Sequence, residues 1–189
     1  TLVNVSKTIN STLNLDDVLN VITREACHLM DGKLCSLLML NEAREWLELR
    51  ASYGAGEAYI NKPRLAVDDS LLGTVVRRKK PLQVENVQLS SQYQHIEIAR
   101  QEGLLSLLSV PLVFAGKCTG TLNVYTAQMH SFSNEEIRIL AALAEFSGKH
   151  INPPHTLACS TGKLRIVYTK GRVRSISPRK TVRCRRCRA

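Results

Sequence analysis

The 189-residue chain carries 26 basic and 16 acidic side chains, a formal charge of +10. Residues 151–189 hold 11 of the basic side chains and no acidic one, so residues 1–150 are close to neutral. This asymmetry predicts one domain over residues 1–150, long enough for a hydrophobic core, and a separate basic tail over 151–189. No run of about 18 apolar residues is present, which excludes a helical membrane span from this chain.

The start of the chain and its cysteines indicate what kind of polypeptide it comes from and in which compartment it is expected. The chain begins at Thr1 without a methionine, so we expect it to be part of a longer polypeptide, and no signal peptide opens it. Cys27, Cys35 and Cys118 lie in apolar segments, which predicts buried, reduced thiols. We therefore expect a cytoplasmic location.

The first half of the chain predicts a helix followed by a hairpin. A helix should begin after Asn14 and end at Gly32. Its apolar stripe consists of Leu15, Val18, Leu19, Ile22, Ala26 and Leu29. "LCSLLML" (34–40) has the length of a buried strand, and "EWLELRAS" alternates so as to place Leu47, Leu49 and Ala51 on one face.

The second half predicts short helices, a second hairpin and a final helix. Short helices are expected within 70–80 and 88–103, the latter ending at Gly103. "LLSLLSVPLVF" and "CTGTLNVYT" are the strongest strand signals. In the last helix, Ser133 and Glu136 have the spacing of a capping box. This order predicts an α+β fold, an antiparallel central sheet with helices packed on it.

Six segments, in this order, resemble the GAF domain family, whose fold is related to PAS domains. They span about residues 3–149: "SKTINSTLNLDDVLNVITREA", "CSLLMLNE", "LELRASYG", "LLGTVVRRKKPLQVENV", "GLLSLLSVPLVFAGKCTGTLNVY" and "FSNEEIRILAALAEFSG". The resemblance implies a sensor module of a signalling protein that binds a small ligand, dimerises, or does both. The effector domain, such as a histidine kinase of a two-component system, would lie outside this chain. The identity of any ligand or cofactor is left open.

The resemblance also tests several known subfamilies. Gln94 stands where phytochrome-like members carry the bilin-attaching cysteine, so a thioether to bilin is excluded there. Thr126 and Ala127 replace an Asn-Lys pair that cyclic-nucleotide-binding members often carry, which disfavours cyclic nucleotides. No cysteine lies between Cys35 and Cys118, which disfavours a methionine-sulfoxide reductase. We therefore do not expect an enzyme.

The ligand site is expected between the second hairpin and the 88–103 segment, under a lid formed by the irregular segments 55–69 and 88–103, because loops on a rigid sheet tolerate variation in binding residues. The predicted lid residues are Tyr59, Tyr93, His95 and Arg100, and the predicted floor residues are Ser106 and Thr126. The tyrosines would suit a ligand with an aromatic or heterocyclic ring, and the guanidinium of Arg100 would suit a carboxylate or phosphate on that ligand. The alternative is a pocket collapsed and filled by apolar side chains.

The two ends of the chain allow further expectations. Leu2, Val5 and Ile9 recur at helical spacing, which predicts a homodimer contact. The basic tail is expected to be mostly disordered and foreign to the domain, with a weak hairpin turning at Lys170-Gly171. It also carries four potential zinc ligands with poor spacing, His155, Cys159, Cys184 and Cys187. The alternative function is a nucleic-acid-binding protein that acts through this tail.

Overall fold

A computed structural model describes residues 15–151, 165–169 and 172–176 of the chain. Within these residues the helices are α1 (Leu15–Leu29), α2 (Glu57–Ile60), α3 (Leu71–Arg78), α4 (Ile96–Gln101) and α5 (Asn134–Ile151). The strands are β1 (Leu34–Leu40), β2 (Trp46–Tyr53), β3 (Leu65–Ala66), β4 (Leu82–Val84), β5 (Leu107–Phe114), β6 (Lys117–Tyr125), β7 (Arg165–Thr169) and β8 (Arg172–Ile176).

The sheet of the body is antiparallel, as the sequence predicts. Its strand order is β4-β5-β6-β1-β2, and β3 pairs with one end of β2. The hairpin β7-β8 joins the outer edge through a parallel pairing of Tyr53 with Tyr168. The expected dimer contact and the four potential zinc ligands lie outside the described residues, as does most of the tail, so these remain predictions.

The sheet separates two hydrophobic clusters. α1 and α5 cover one face with the stripe that the helical periodicity predicts, including Val18, Ile22 and Leu140. The short helices α2, α3 and α4 cover the other face, which we call the lid face. Leu15 and Leu29, at the two ends of the α1 stripe, are more than a third exposed, so the predicted stripe is too long at both ends.

A β-bulge changes the predicted faces of β2. Leu38 pairs with Leu49 while Leu37 pairs with Ala51, so Arg50 is an extra residue in the ladder. Leu47 and Leu49 therefore lie on the lid face, whereas Ala51 lies in the cluster under α1 and α5. The prediction of a single face for these three residues is wrong because regular alternation does not continue through a bulge.

Local signals fix the helix ends. The predicted capping box of α5 is confirmed, because the Glu136 carboxylate accepts a hydrogen bond from the Ser133 backbone N–H at 2.7 Å and the Ser133 hydroxyl accepts one from the Glu136 N–H at 3.2 Å. Ser70 caps α3 by accepting a hydrogen bond from the Gly73 N–H. Gly103 ends the α4 segment with a φ of +61°, a conformation that glycine adopts without strain.

Candidate functional site

Two segments of the lid face form what we call the lid: residues 55–62, which contain α2, and residues 93–103, which contain α4. They face the strands that the sequence predicts as the floor of a pocket. Both segments are anchored by buried tyrosines, Tyr59 and Tyr93, whose side chains are at most 7% exposed. The lid is therefore packed onto the sheet.

A row of polar side chains crosses the sheet beneath this lid. We call Ser52, Ser36, Asn123 and Ser109 the polar row. Neighbours in the row are paired residues on adjacent strands, so their side chains share one face. All four are essentially inaccessible to solvent. Four polar residues in register under a lid are unusual for an apolar core, because burying a polar group has a cost unless it is hydrogen-bonded.

Hydrogen bonds connect most of the polar row. The Ser109 hydroxyl donates to Oδ1 of Asn123 at 2.7 Å. Nδ2 of Asn123 donates to the carbonyl oxygen of Ser36 at 3.2 Å and approaches its hydroxyl at 3.4 Å. Two buried hydroxyls on the same face have no hydrogen-bond partner among the described residues: Oγ of Ser52 and Oγ1 of Thr121. The floor thus retains unused hydrogen-bonding capacity.

Three phenols link the floor to both lid segments. The Tyr59 hydroxyl lies 2.7 Å from Oγ of Ser36 and 3.4 Å from the hydroxyl of Tyr125, which belongs to β6. The Tyr93 hydroxyl donates to the same Tyr125 oxygen at 3.1 Å. Burial raises the pKa of all three phenols, and the neighbouring phenols contribute to the shift in each. The network therefore consists of neutral hydroxyl groups at physiological pH.

Two basic side chains lie beside the tyrosines. Nζ of Lys62 is 3.6 Å from the centroid of the Tyr59 ring, a cation–π contact, and Lys62 is only 5% exposed. Nε2 of His95 is buried without a hydrogen-bond partner among the described residues. Burial lowers the pKa of His95 and the charge of Lys62 lowers it further, while a hydrogen bond with the backbone of Pro63 acts in the opposite direction. His95 is therefore a neutral polar group at pH 7.

The floor is closed to solvent in this structure. The four residues of the polar row are at most 1% exposed, and Tyr59, Tyr93 and Tyr125 are at most 7% exposed. Beside the lid, a cavity lined by Leu72, Tyr93 and His95 has a volume of about 10 Å³, which is about the room that one water molecule needs.

The predicted floor residues Ser106 and Thr126 lie at the end of the sheet, where their hydroxyls hold the loop that follows β6. The Ser106 hydroxyl donates to the Glu85 carbonyl at 2.6 Å and accepts from the His130 N–H at 2.8 Å. The Thr126 hydroxyl donates to the Gln128 carbonyl at 2.6 Å. Both hydroxyls are engaged in backbone contacts of the fold and lie outside the tyrosine network.

The predicted lid residue Arg100 faces away from the tyrosines. Its guanidinium forms an ion pair with Glu97 at 2.5 Å, and its side chain is 53% exposed. The reason is the rotation of α4: Ala99 is fully buried against the core, so the next residue along the helix turns outward. Lys62, rather than Arg100, is the basic residue beside the tyrosine network.

Sequence reasoning missed the polar row and Tyr125. Thr121, Asn123 and Tyr125 alternate with the apolar residues Leu122 and Val124 at the end of β6, and this alternation was the available signal. Ser36 interrupts the apolar run of β1 in the same way. Polar residues at every second position of a buried strand indicate one face that meets polar groups.

The described thiols have the properties of core residues. Burial raises the pKa of Cys27 to about 12, with a further contribution from Asp31. Burial also raises the pKa of Cys35 and of Cys118. Since the thiolate is the nucleophile, these cysteines are poorly suited to catalysis in this state. Within the described residues, no three His, Cys, Asp or Glu side chains are grouped so as to hold a metal ion, and no helix is long and apolar enough to span a membrane.

Comparisons with known proteins agree with the fold. A phosphoenolpyruvate-dependent phosphotransferase system protein of Escherichia coli is 25% identical over 135 residues, which are 69% of this chain and 17% of that protein. The chain thus spans under a fifth of that relative. The solved GAF domain of a phosphoenolpyruvate-protein phosphotransferase from Acinetobacter is 25% identical, with a TM-score of 0.68 over 79% of this chain and 89% of the other.

Two further solved structures and a family model complete the comparison. The GAF domain of a phosphoenolpyruvate-protein phosphotransferase from Coxiella burnetii has a TM-score of 0.71 at 24% identity, over 79% of this chain and 89% of that one. Free methionine-R-sulfoxide reductase from Neisseria meningitidis shares the fold at 15% identity, with a TM-score of 0.67 over 79% of this chain and 85% of the reductase chain. The model of the GAF domain matches residues 12–151. The chain therefore belongs to the GAF domain family.

Proposed function

We propose that this GAF domain is a sensor module that binds a small polar ligand between the lid and the polar row. The observation that carries the proposal is the pair of buried hydroxyls of Ser52 and Thr121 on the lid face of the sheet, which have no hydrogen-bond partner among the described residues. An unsatisfied buried hydroxyl costs about 1–3 kcal/mol, so it needs a functional explanation. A ligand that bonds to these groups supplies one.

The chemistry around the lid favours a ligand with hydrogen-bonding groups and a negative charge. The floor offers hydroxyl and amide groups, and the phenols and the His95 ring offer both donors and acceptors. Lys62 adds a positive charge next to the Tyr59 ring. A carboxylate or phosphate fits this charge, as the sequence suggested for Arg100, but through a different residue.

Signal output would lie in another part of a longer protein. GAF domains are sensor modules in signalling proteins, and the relatives favour a phosphotransferase as the effector over the histidine kinase expected from the sequence. In this proposal the ligand changes the position of the lid, and the terminal helices transmit the change. A homodimer through Leu2, Val5 and Ile9 and a cytoplasmic location remain part of the proposal.

Removing one unpartnered hydroxyl tests the ligand site. The first step is native mass spectrometry for a co-purified molecule and a thermal-shift screen of small carboxylates and phosphates. Ser52→Ala should leave the ligand-free domain equally or more stable, because it removes an unsatisfied group. It should nevertheless weaken binding of a hit several-fold. A merely structural serine cannot give opposite signs for these two quantities.

Two control variants complete this test. Ser147→Ala removes a buried hydroxyl that bonds to the Leu143 carbonyl on α5, on the other side of the sheet, and should not alter ligand affinity. Arg100→Ala should also leave affinity unchanged. Loss of binding in Arg100→Ala together with unchanged binding in Ser52→Ala would contradict the proposed site.

A second candidate function rests on the tail. Its 11 basic and zero acidic side chains predict salt-dependent attraction to nucleic acid. Fluorescence anisotropy with duplex DNA distinguishes binding by the tail from binding by the body. Binding that disappears when residues 151–189 are removed belongs to the tail, and binding that survives would indicate that the body itself contacts nucleic acid.

A further inference from the structure

One carboxylate connects the two segments of the lid. Glu102 follows α4, and its Oε2 accepts a hydrogen bond from the backbone N–H of Gly56 at 2.9 Å. Its Oε1 accepts another from the N–H of Tyr59 at 3.1 Å. A side chain from one lid segment thus accepts hydrogen bonds from two backbone N–H groups at the start of α2, the helix of the other segment.

The start of α2 depends on this distant carboxylate. Gly56 is the N-cap residue and has no side chain that could cap its own helix. With only four residues, α2 is far too short to be stable by itself. A carboxylate that satisfies free N–H groups at a helix start also interacts favourably with the helix dipole. Glu102 therefore holds α2 in its helical form.

Gly56 is adapted to this contact. A Cβ atom at position 56 would overlap the carboxylate of Glu102. The φ of Gly56 is −84°, which any residue adopts, so backbone conformation does not require glycine here. A Cβ atom at this position would instead push the Glu102 carboxylate, the end of a flexible side chain, away from its two donors.

Tyr59 is consequently held at both ends. Its N–H is bound by Glu102, and its hydroxyl is bound by Ser36 on the floor. On the other lid segment, Tyr93 reaches the floor through Tyr125. The two segments share the Tyr125 hydroxyl on the inside and the Glu102 carboxylate on the outside, so neither can leave the floor without breaking a shared contact.

We infer that Glu102 is the latch of the lid: it couples residues 55–62 to residues 93–103, so that both open together, and it sets the population of the open form. The inference rests on the proposed function for its biological meaning. Because the polar row is buried beneath the closed lid, a ligand enters the open form. The apparent affinity then scales with the open fraction, and weakening the latch strengthens apparent binding.

Hydrogen exchange of the ligand-free protein tests the latch. Glu102→Gln removes the charge and one of the two acceptor oxygens. We expect about tenfold faster exchange of the Gly56 and Tyr59 amides, the factor that corresponds to loss of one charge-assisted hydrogen bond. The Leu104 amide, which bonds to the Ala99 carbonyl at the end of the other segment, should accelerate by a similar factor. Amides in β1 and β6 should keep their rates.

A second variant and a control separate coupling from simple destabilisation. Gly56→Ala attacks the same contact from the other segment and should give the same pattern. Glu97→Gln removes an exposed carboxylate on α4 and should change none of these rates. Acceleration limited to Gly56 and Tyr59 would show that Glu102 only caps α2, which overturns the inference. Equal acceleration in β1 and β6 would overturn it too, since it would indicate global unfolding.

The result does not depend on finding a ligand. Coupled opening of both segments without any ligand hit would support the latch and count against the proposed sensor site. A ligand that binds with unchanged affinity to Glu102→Gln, despite coupled opening, would show that the open form does not limit binding, and would overturn the regulatory part of the inference.

Discussion

The hydroxyl of Tyr59 lies 2.7 Å from Oγ of Ser36, so a residue of the lid is bonded directly to the middle of the sheet. The contact is completely buried and involves neutral groups, because burial raises the pKa of the phenol. It therefore contributes to stability as an ordinary hydrogen bond, independent of pH in the neutral range.

Tyr59→Phe should destabilise the domain by about 1–2 kcal/mol, because it removes this bond and the buried Ser36 hydroxyl loses its tyrosine partner. For a chain of this size the unfolding midpoint should fall by roughly 2–8 °C. Tyr53→Phe is the matched control, because the Tyr53 hydroxyl bonds to the exposed ring of His28 and its removal should cost under about 0.5 kcal/mol. Equal losses in the two variants would contradict the buried network.

Gly73→Ala should destabilise the domain by about 1–3 kcal/mol through overpacking. A Cβ atom at position 73 would overlap the carbonyl oxygen of Val67, which is backbone and cannot rotate away. Thr74→Ala, at the next position of α3, serves as the control, because Thr74 is half-buried and alanine is the better helix former. Urea unfolding measures both changes, and a neutral Gly73→Ala would show that α3 does not pack against Val67 as described.

Local sequence signals predicted the first helix, the two hairpins, the short helices between them and the start of the last helix, but not α2 and β3, which lie in a segment expected to be irregular. The capping box of α5 is an example, since Ser133 and Glu136 identify it by spacing alone. Such signals act over three or four residues and are visible in the chain. The bulge at Arg50 is not, because it arises from the pairing of two strands and no residue in β2 requires it.

The candidate site also depends on contacts between residues far apart in the sequence, which local patterns do not reveal. Tyr59 and Tyr93 are joined by Tyr125, which lies 32 residues from the nearer of the two, and His95 lies beside Tyr93. That these residues bind a ligand stays a prediction. Arg100 was misjudged because one step along α4 separates the buried face of Ala99 from solvent, and the orientation of a six-residue helix depends on tertiary packing. Glu102, which links the two segments of the lid, acts across 46 residues and has no local signal.

Acidification should weaken the domain through His95. Burial and the charge of Lys62 lower its pKa in the folded state below the usual value of 6.5. The unfolded chain therefore binds the proton more readily, so the stability contributed by the neutral ring is complete above pH 6.5 and is lost as the pH falls through the folded pKa. His95→Gln should flatten the dependence of unfolding free energy on pH below about pH 7, measured by urea unfolding. If the pH dependence of the unfolding free energy is the same in His95→Gln as in the parent, groups other than His95 cause it.

The last prediction concerns the basic tail. Among the residues whose burial the structure describes, both hydrophobic clusters of the body are built from residues between Val18 and Phe146, so the body supplies a core of its own. A chain cut after Lys149 should unfold cooperatively, with a midpoint within a few degrees of the parent, because the two-stranded hairpin β7-β8 meets the body through a single described pairing and two strands are marginally stable in water.

The competing view is that β7 protects the edge of β2, and it predicts a different result. Truncation would then expose the backbone of β2 near Tyr53, and an unprotected edge promotes association between chains. Analytical ultracentrifugation of the truncated and parent chains distinguishes the two. Equal oligomeric states and midpoints would identify 151–189 as a separate, dispensable segment. Aggregation of the truncated chain, or loss of its cooperative transition, would make the hairpin part of the domain.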